Sequence, residues 1–355
     1  MNIAIIGAGA CGLLLSTKLS QKNINHTIFY KDKIGSKILA SGNGKCNISN
    51  KQFNKKYYHN NPFSKIVSDK QAELFNYFNE LKIYTKVDQE GRMYPISESS
   101  QSVLNVLLKN SKANFVNLCV DKIERSNYKY YINDTYGPFD KVVIATGSNA
   151  SFKKYELPKF IKGLNLQFKD FKPSLVGFKT NINIKPISGV RAKVMTYLYN
   201  DSKEIHHEYG EVIFKDDGIS GICIMNDSSY YNELKTLNNP YIKLDLSINQ
   251  DYDDYSTILA PKLLDYVNEN NIDIHNFIIP IIDTYQMEFA QVAKGGIDLI
   301  EIHNSLSLHK DPNIFVGGEI MDVNGICGGY NLMFAFCCAL KIFGEIVKWN
   351  TKYQI

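Results

Sequence analysis

The sequence lacks the features that would place it in several specialised classes of protein. It contains no run of eighteen uninterrupted apolar residues, the length that a transmembrane helix needs. Its opening apolar run follows no basic segment, so we expect no signal peptide. Its seven cysteines include no C-x-x-C pair, which favours reduced thiols over a disulfide framework. We therefore expect a cytoplasmic protein without a membrane partner.

An excess of charge of one sign is also missing. The net charge is only +4 over 355 residues, which is too small to identify a nucleic-acid partner by itself. A hydrophobic content of 44% with 21% charged residues is typical of a globular protein with a substantial core. No metal site is predicted, because His206 and His207 are neighbours on an expected strand and point to opposite faces.

The first twelve residues carry the strongest motif. Asn2 to Ile6 is a short, mostly β-branched apolar run, which predicts a buried strand. Gly7, Gly9 and Gly12 follow in G-x-G-x-x-G spacing, and a helix-compatible run continues to Lys22. The cofactor-binding candidates here are Gly7, Gly9, Ala10 and Gly12. In such a motif the first glycine allows the tight turn, and the second lets a pyrophosphate approach the backbone. The third allows the helix to pack closely on the strand. The helix N-terminus would face the phosphates. A purely structural glycine turn is the alternative.

The second strand of this unit ends unusually. His26 to Tyr30 predicts that strand, and its last residue stands where dinucleotide folds place Asp or Glu for the ribose hydroxyls. A tyrosine hydroxyl can form one such hydrogen bond but not a bidentate pair. Tyr30 is therefore the candidate at the adenosine end of a cofactor, with Asp32 as the alternative.

A second glycine-rich stretch runs from Gly35 to Asn50. Its S-G-N-G run offers successive backbone N–H groups, and two lysines add positive charge, which suits an anion or the edge of a flavin. A solvated turn is the alternative, as for most clusters of Gly, Asn and Ser. The cofactor-binding candidates in this stretch are Lys37, Ser41, Gly42, Gly44, Cys46 and Asn47.

Two later strands are expected to return to the same sheet. The first begins at Lys141 and runs into Ala-Thr-Gly, a pattern of flavoproteins of the glutathione-reductase type. The second, Ile314 to Val316, ends at paired glycines, and acidic residues after it are placed to bond ribityl hydroxyls or the turn backbone. A second glycine pair then opens an apolar helix, whose N–H groups would face the pyrimidine edge of a flavin. The candidates here are Ala145, Thr146, Gly147, Gly318, Glu319, Asp322, Gly328, Gly329, Tyr330 and Asn331.

These stretches together resemble one protein family. Gly35 to Asn50 is similar to the signature G-x-K-(I/L)-L-x-S-G-x-G-(R/K)-C-N-x-(S/T)-N of a bacterial family of FAD-dependent oxidoreductases. Its members are often described as aminoacetone oxidase-like or bile-acid-intermediate reductase-like flavoproteins. Its range extends to dihydrouridine formation in ribosomal RNA. Gly91 to Ser97, Gly210 to Gly221 and Ala290 to Glu301 resemble further segments of the family.

The resemblance implies an α/β fold and FAD as the cofactor. A Rossmann-type FAD-binding domain of the glutathione-reductase kind would span 1–168 and 310–355. A β-barrel-like substrate domain would be inserted at 169–309, with a small helical segment at about 256–282. No second strand-bound G-x-G-x-x-G appears, so NAD(P)H, the expected electron donor, would have to enter transiently and leave before the substrate binds.

Three functions stay open at this point. The first is reduction of a conjugated C=C bond in a small molecule, and the second is the same chemistry on a uracil ring of ribosomal RNA. RNA binding would need a basic funnel and a flipped-out base. The third is a non-catalytic flavoprotein that senses redox state. The lysines available for RNA are Lys153, Lys154, Lys159, Lys162, Lys169 and Lys172, although such a run is also typical of a solvated face.

Proton delivery yields the first prediction. Reducing a C=C bond requires a hydride at one carbon and a proton at its neighbour. Cys46 is the candidate acid, Tyr330 is its rival, and Arg92 either polarises the substrate carbonyl or lies on the surface. The Cys46→Ala variant should keep reducible FAD while reducing its substrate more slowly, measured as turnover of the reduced enzyme. Full turnover would instead assign Cys46 to the core, where free cysteines are commonly found.

Overall fold

A computed structural model of the chain describes residues 1–151 and 157–352, with side chains described as far as residue 348. These residues form two compact units. The first unit contains 1–148, 157–171 and the chain from Gly295 onward, so it is built from both ends of the sequence. The second contains 149–151 and 172–294. Two strands that pair with each other, Phe168–Ser174 and Val292–Ile297, carry the chain out of the first unit and back.

The elements are numbered in chain order among the described residues. The strands are β1 Asn2–Ile6, β2 Asn25–Tyr30, β3 Ser49–Asn50, β4 Thr85–Val87, β5 Arg92–Pro95, β6 Asn114–Asn117, β7 Ile123–Ser126, β8 Lys129–Ile132, β9 Tyr136–Phe139, β10 Lys141–Ile144, β11 Phe168–Ser174, β12 Phe178–Lys179, β13 Arg191–Asn200, β14 Lys203–Phe214, β15 Gly218–Ser220, β16 Pro240–Asp245, β17 Phe277–Pro280, β18 Asp283–Thr284, β19 Val292–Ile297 and β20 Ile314–Val316. The α-helices are α1 Ala10–Gln21, α2 Ser36–Ala40, α3 Lys65–Glu80, α4 Ser100–Lys109, α5 Lys159–Gly163, α6 Ile222–Tyr231, α7 Pro261–Glu269 and α8 Tyr330–Lys352.

A five-stranded parallel sheet organises the first unit. Its strand order is β20-β10-β1-β2-β6, and every neighbouring pair is parallel. Ile3, Ala4 and Ile5 of β1 are fully buried, as expected for a strand covered by helices on both faces. The strand order reverses beside β1, where the chain first moves to β2 and later returns to β10. Such a reversal is where open α/β sheets bind their ligands, beyond the carboxyl ends of the strands.

Helix α8 forms the centre of this unit. It packs against α1 and α3, and the ring of Phe336 meets that of Phe78 edge-on at 5.5 Å between centroids. By length and composition its stretch Tyr330–Lys348 is apolar enough to cross a membrane, but 61% of that stretch is buried inside the protein. Its apolar character therefore matches the role of a core helix.

A seven-stranded antiparallel sheet forms the second unit, in the order β17-β16-β13-β14-β15-β12-β18. Its two edge strands are consecutive in the chain, since only Ile281 and Ile282 separate β17 from β18. The Ile281 amide donates to the Pro240 carbonyl at 2.9 Å, and the Ile282 amide donates to the Lys179 carbonyl at 3.1 Å. The linker is thus bonded to β16 on one side and to β12 on the other. The sheet must therefore curl so that its two edge strands approach each other, as the expected β-barrel-like form requires.

The helical part of this unit is shorter than expected. Helix α7 begins at Pro261, a first-turn position where the missing N–H group costs no helical hydrogen bond. The predicted helical segment of 256–282 is wrong over 277–280, which form β17. Phe277 and Ile279 are buried while Ile278 is exposed, the alternation of a strand. Hydrogen bonding to β16 decides the structure of this apolar run.

The first unit also resumes earlier in the chain than the expected residue 310. It resumes at Gly295, because the Ile297 amide donates to the Ile320 carbonyl at 2.8 Å. Ser307 then bridges to Phe315 of β20. Residues 295–309 therefore belong with the five-stranded sheet.

Because residues 277–280 form a strand, we predict that alanine substitutions at two neighbouring isoleucines lower the stability of the protein to different extents. Ile279→Ala should destabilise the protein by about 2–5 kcal/mol, because a fully buried side chain leaves a cavity. Ile278→Ala, at a position that is 38% exposed, should change the free energy of unfolding by less than about 0.5 kcal/mol. Urea denaturation of both variants measures the difference. Equal losses would contradict the alternating burial of the strand.

Candidate cofactor site

Three strand ends of the parallel sheet meet at one edge. The Ala145 amide donates to the Ile6 carbonyl at 2.8 Å, and the Gly317 amide donates to the Ile144 carbonyl at 3.0 Å. The peptides that follow β1, β10 and β20 therefore lie side by side. This arrangement brings together the three glycine-rich segments in which the sequence placed a cofactor.

The glycines of the first motif have the geometry that a dinucleotide turn requires. Gly7 has φ +116°, and a Cβ there would lie 2.2 Å from the Ala145 carbonyl oxygen. A Cβ on Gly12 would lie 2.0 Å from the Gly7 oxygen. In contrast, a Cβ on Gly9 meets no protein atom within 4 Å. Close contacts therefore leave no room for a side chain at Gly7 or Gly12. The space next to Gly9 is open, and a phosphate would lie there.

The N-terminus of α1 faces this space without a side-chain cap. Gly9 is the N-cap, the first turn contains no acidic residue, and the first helical bond runs from the Leu13 amide to the Gly9 carbonyl. The N–H groups of Ala10, Cys11 and Gly12 therefore have no partner within the helix. They provide partial positive charge for a diphosphate.

The end of β10 offers a second indication of a missing group. The hydroxyl oxygen Oγ1 of Thr146 is buried and has no hydrogen-bond partner among the described residues. Gly147 follows with φ +73° and open space where a side chain would project. Buried polar groups are normally bonded, so an unsatisfied hydroxyl at a strand end points to a ligand.

Lys37 links the ends of β10 and β20. Its ammonium group donates to the Ser148 hydroxyl at 2.8 Å and forms an ion pair with Glu319 at 2.6 Å. The Glu319 carboxylate is 14% exposed, so it is held by Lys37 rather than solvated. Gly318, with φ +80°, packs against Cys11 of α1 and Ala335 of α8. The β20 turn therefore lies between the beginnings of these two helices.

The loop after α2 is compact. Ser41 donates its hydroxyl to the Ile38 carbonyl at 2.8 Å, and Gly42 turns with φ +58°. Gly44, with φ +85°, has open space where a side chain would project. Cys46 is completely buried, and burial raises the pKa of its thiol to about 11. The thiol is thus protonated at neutral pH and is a weaker acid than an ordinary cysteine.

The second glycine pair introduces α8. Gly328 and Gly329 have φ +125° and +90°, and the helix begins at Tyr330. The Tyr330 ring lies 4.8 Å from the Tyr57 ring, and burial raises the pKa of its hydroxyl. The Asn331 side chain accepts from the Gly325 amide at 2.8 Å and donates to the Gly325 carbonyl at 2.9 Å.

Other predicted residues bond within the protein fold. Asp322 accepts from the Gly295 amide of β19 at 3.1 Å and from Lys169 at 2.9 Å, and its expected role toward the ribityl hydroxyls or the turn backbone stays a prediction. Arg92 donates to Asp88 at 2.7 Å and to Glu90 at 2.9 Å, which commits its guanidinium to two carboxylates.

Tyr30 ends β2 half-buried, with its ring edge-on to Phe115 at 6.5 Å between centroids. Its position on β2, next to β1, is that of the usual acidic ribose ligand. Asp32, two residues later, is exposed with φ +66°. The role of Tyr30 at the adenosine end stays a prediction.

A family model described as HI0933-like protein Rossmann domain matches residues 1–343. The chain belongs to this family. It is therefore an FAD-dependent oxidoreductase, and the resemblance inferred from the sequence motifs is confirmed. The residues present fit FAD, because the open Gly9 turn, the unsatisfied Thr146 hydroxyl and the uncapped N-terminus of α1 lie at one edge of the sheet.

Two curated relatives of this HI0933-like chain align over almost its full length. It is 26% identical to the 3-dehydro-bile acid delta(4,6)-reductase of Clostridium scindens, over 94% of this chain and 96% of that protein. It is 25% identical to the ribosomal RNA dihydrouridine synthase of Haemophilus influenzae, over 95% of this chain and 97% of that protein. Among solved structures, the open conformation of a flavocytochrome c3 fumarate reductase superposes with a TM-score of 0.52. That match covers 98% of this chain and 78% of the other at 12% identity, so it shows a shared fold alone.

Two residues of this site were missed by the sequence interpretation. Asn50 donates to the Gly328 carbonyl at 3.0 Å, and the Tyr58 hydroxyl donates to the Tyr330 carbonyl at 2.8 Å. Asn50 is the last residue of the motif that ends in C-N-x-S-N, so its place in that motif was the available signal. Tyr58 carries no sequence signal, because its partner is 272 residues away.

The geometry of the first turn predicts the effect of a single side chain. Gly9→Val should leave the apoprotein folded, since the new Cβ meets no protein atom, while excluding the phosphates of FAD. Flavin retained after purification measures the effect, and we expect little or none. Gly344→Val is the matched control, because Gly344 also has open space but lies far along α8. Stoichiometric FAD in Gly9→Val would show that the turn does not hold the phosphates.

Proposed function

We propose that this protein reduces a carbon–carbon double bond conjugated to a carbonyl group, with NAD(P)H as the transient electron donor. The observation that carries the proposal is the shared chemistry of the two aligned relatives. A delta(4,6)-reductase of a 3-dehydro-bile acid and a dihydrouridine synthase each saturate a ring C=C bond in conjugation with a carbonyl. Both align with this chain from end to end, so the proposal concerns the whole protein.

The chain's own groups suit the proton half of such a reduction. When bound, FAD supplies the hydride. The Cys46 thiol and the Tyr330 hydroxyl are both held in the protonated form at neutral pH, because burial raises the pKa of each. Each group therefore carries a proton that it can donate, but burial makes each a weaker acid than its exposed counterpart. Cys46 remains the proposed donor, and Tyr330 remains its rival.

A single nucleotide-binding turn constrains the order of binding. The sequence has one strand-bound G-x-G-x-x-G, and the parallel sheet of the described residues uses it for the site that fits FAD. NAD(P)H would then reduce the flavin and leave before the substrate enters. This order predicts double-reciprocal plots with parallel lines when both substrates are varied.

Among substrates, we favour a small conjugated carbonyl compound over ribosomal RNA. Part of the expected basic cluster is neutralised, because Lys169 lies between Asp322 at 2.9 Å and Asp298 at 3.3 Å. Lys159 lies 3.9 Å from Asp121. Lys153 and Lys154 lie outside the described residues. The aligned dihydrouridine synthase keeps RNA as the second candidate substrate.

One experiment separates these functions. The purified holoenzyme is reduced anaerobically with NADH or NADPH and then mixed with small cyclic enones and dienones, or with ribosomal RNA that lacks dihydrouridine. We expect flavin reoxidation and a saturated product with the small compounds. Reoxidation with RNA alone, accompanied by dihydrouridine, would favour the synthase. A flavin that neither nicotinamide reduces would contradict NAD(P)H as the electron donor.

A further inference from the structure

The glycine turn before α8 is held by one nearby segment of chain. Residues of the segment 47–61 form five hydrogen bonds with residues 322–330, which include this turn. We call these residues of 47–61 the turn clamp. The bonded pairs are Asn47 with Gly329, Asn50 with Gly328, Tyr57 with Ile326, Tyr58 with Tyr330 and Asn61 with Asp322.

Asn50 is the most constrained residue of the turn clamp. Its amide nitrogen donates to the Gly328 carbonyl at 3.0 Å, and its amide oxygen accepts from the Gln52 backbone at 2.8 Å. Its backbone carbonyl accepts from Gln71 of α3 at 2.9 Å. The side chain is 1% exposed. Because both ends of the amide are bonded, Asn50 cannot rotate without losing a buried hydrogen bond.

Asn47 holds the other side of the same peptide group. In the amide orientation that satisfies both neighbours, its oxygen accepts from the Gly329 N–H at 3.1 Å, and its nitrogen donates to the Ser49 carbonyl at 2.9 Å. A Cβ on Gly329 would lie 2.3 Å from that Ser49 oxygen, so only glycine fits against the turn clamp. The two asparagines thus bond the carbonyl and the N–H of a single peptide group, the one that joins Gly328 to Gly329.

The orientation of this peptide group determines the direction in which the unbonded N–H groups at the start of α8 point. The first helical bond runs from the Met333 amide to the Gly329 carbonyl at 3.0 Å. The N–H groups of residues 330–332 therefore have no partner within the helix. No acidic residue lies in the first turn to compete for them. They form a second source of partial positive charge at the beginning of a helix, next to the β20 turn.

We propose that Asn47 and Asn50 are positioning residues for FAD. They orient the Gly328–Gly329 peptide group, and through it the free N–H groups at the start of α8, toward a group that gains electron density on reduction. The turn clamp would then tune both the affinity and the reduction potential of the bound flavin. This inference depends on FAD binding by the family and is independent of the substrate proposed above.

The test compares three alanine variants of the full-length protein. Asn50→Ala and Asn47→Ala each remove one bond of the turn clamp. Asn54→Ala is the control, because Asn54 lies in the same segment and is exposed, and its side chain accepts from the Lys56 amide rather than from the turn before α8. We expect FAD to bind about tenfold more weakly to Asn50→Ala, the effect of one buried hydrogen bond. The visible absorption bands and the midpoint potential of the bound flavin should also shift, while the control matches the wild type.

A purely structural role gives a different result. It would lower the melting temperature of the apoprotein while the spectrum, potential and affinity of the flavin stayed at wild-type values, and that outcome overturns the proposal. If Asn50→Ala does not fold, Asn50→Asp replaces it. The carboxylate keeps an acceptor for the Gln52 amide but has no donor for Gly328. The half-buried Asn47→Ala supplies the same comparison independently.

Discussion

The close approach of β1 and β10 is the constraint on which the rest of the first unit depends. The Gly7 peptide passes so near the Ala145 carbonyl that a Cβ would lie 2.2 Å from its oxygen. Because neighbouring strands are spaced by their hydrogen bonds, the chain can leave both strands at one edge only if this position has no side chain. The same edge receives the end of β20 through the Gly317–Ile144 bond. Three turns and the starts of α1 and α8 are thereby gathered around one space.

The electrostatics of that space follow from the backbone more than from side chains. Two helices begin there without acidic residues in their first turns, so partial positive charge is concentrated at the edge of the sheet. The nearby carboxylate of Glu319 is ion-paired with Lys37. An environment of this kind favours a diphosphate and a ring that becomes anionic on reduction. Cys46, in contrast, remains neutral because its burial raises the pKa of the thiol.

The parts of the fold that could be predicted are those whose requirements are local in the chain. Three sequence features each specify a backbone geometry within a few residues. They are the apolar run of β1, the spacing of Gly7, Gly9 and Gly12, and the glycine pair before α8. The helix predicted over 277–280 failed for the opposite reason. Phe277 to Pro280 is a short apolar run that either structure could accommodate, and its hydrogen-bond partner, β16, lies more than thirty residues earlier.

The sequence by itself therefore determined the cofactor class, the parallel sheet built from both ends of the chain, and which peptides would lie at the strand ends. The tertiary structure alone decided what the polar side chains do there. Arg92 is committed to neighbouring carboxylates, Asp322 bonds a backbone amide, and Asn50 bonds a glycine carbonyl 278 residues away. A side chain's partner depends on which distant segments the fold brings within about 3 Å, and no local pattern encodes that distance.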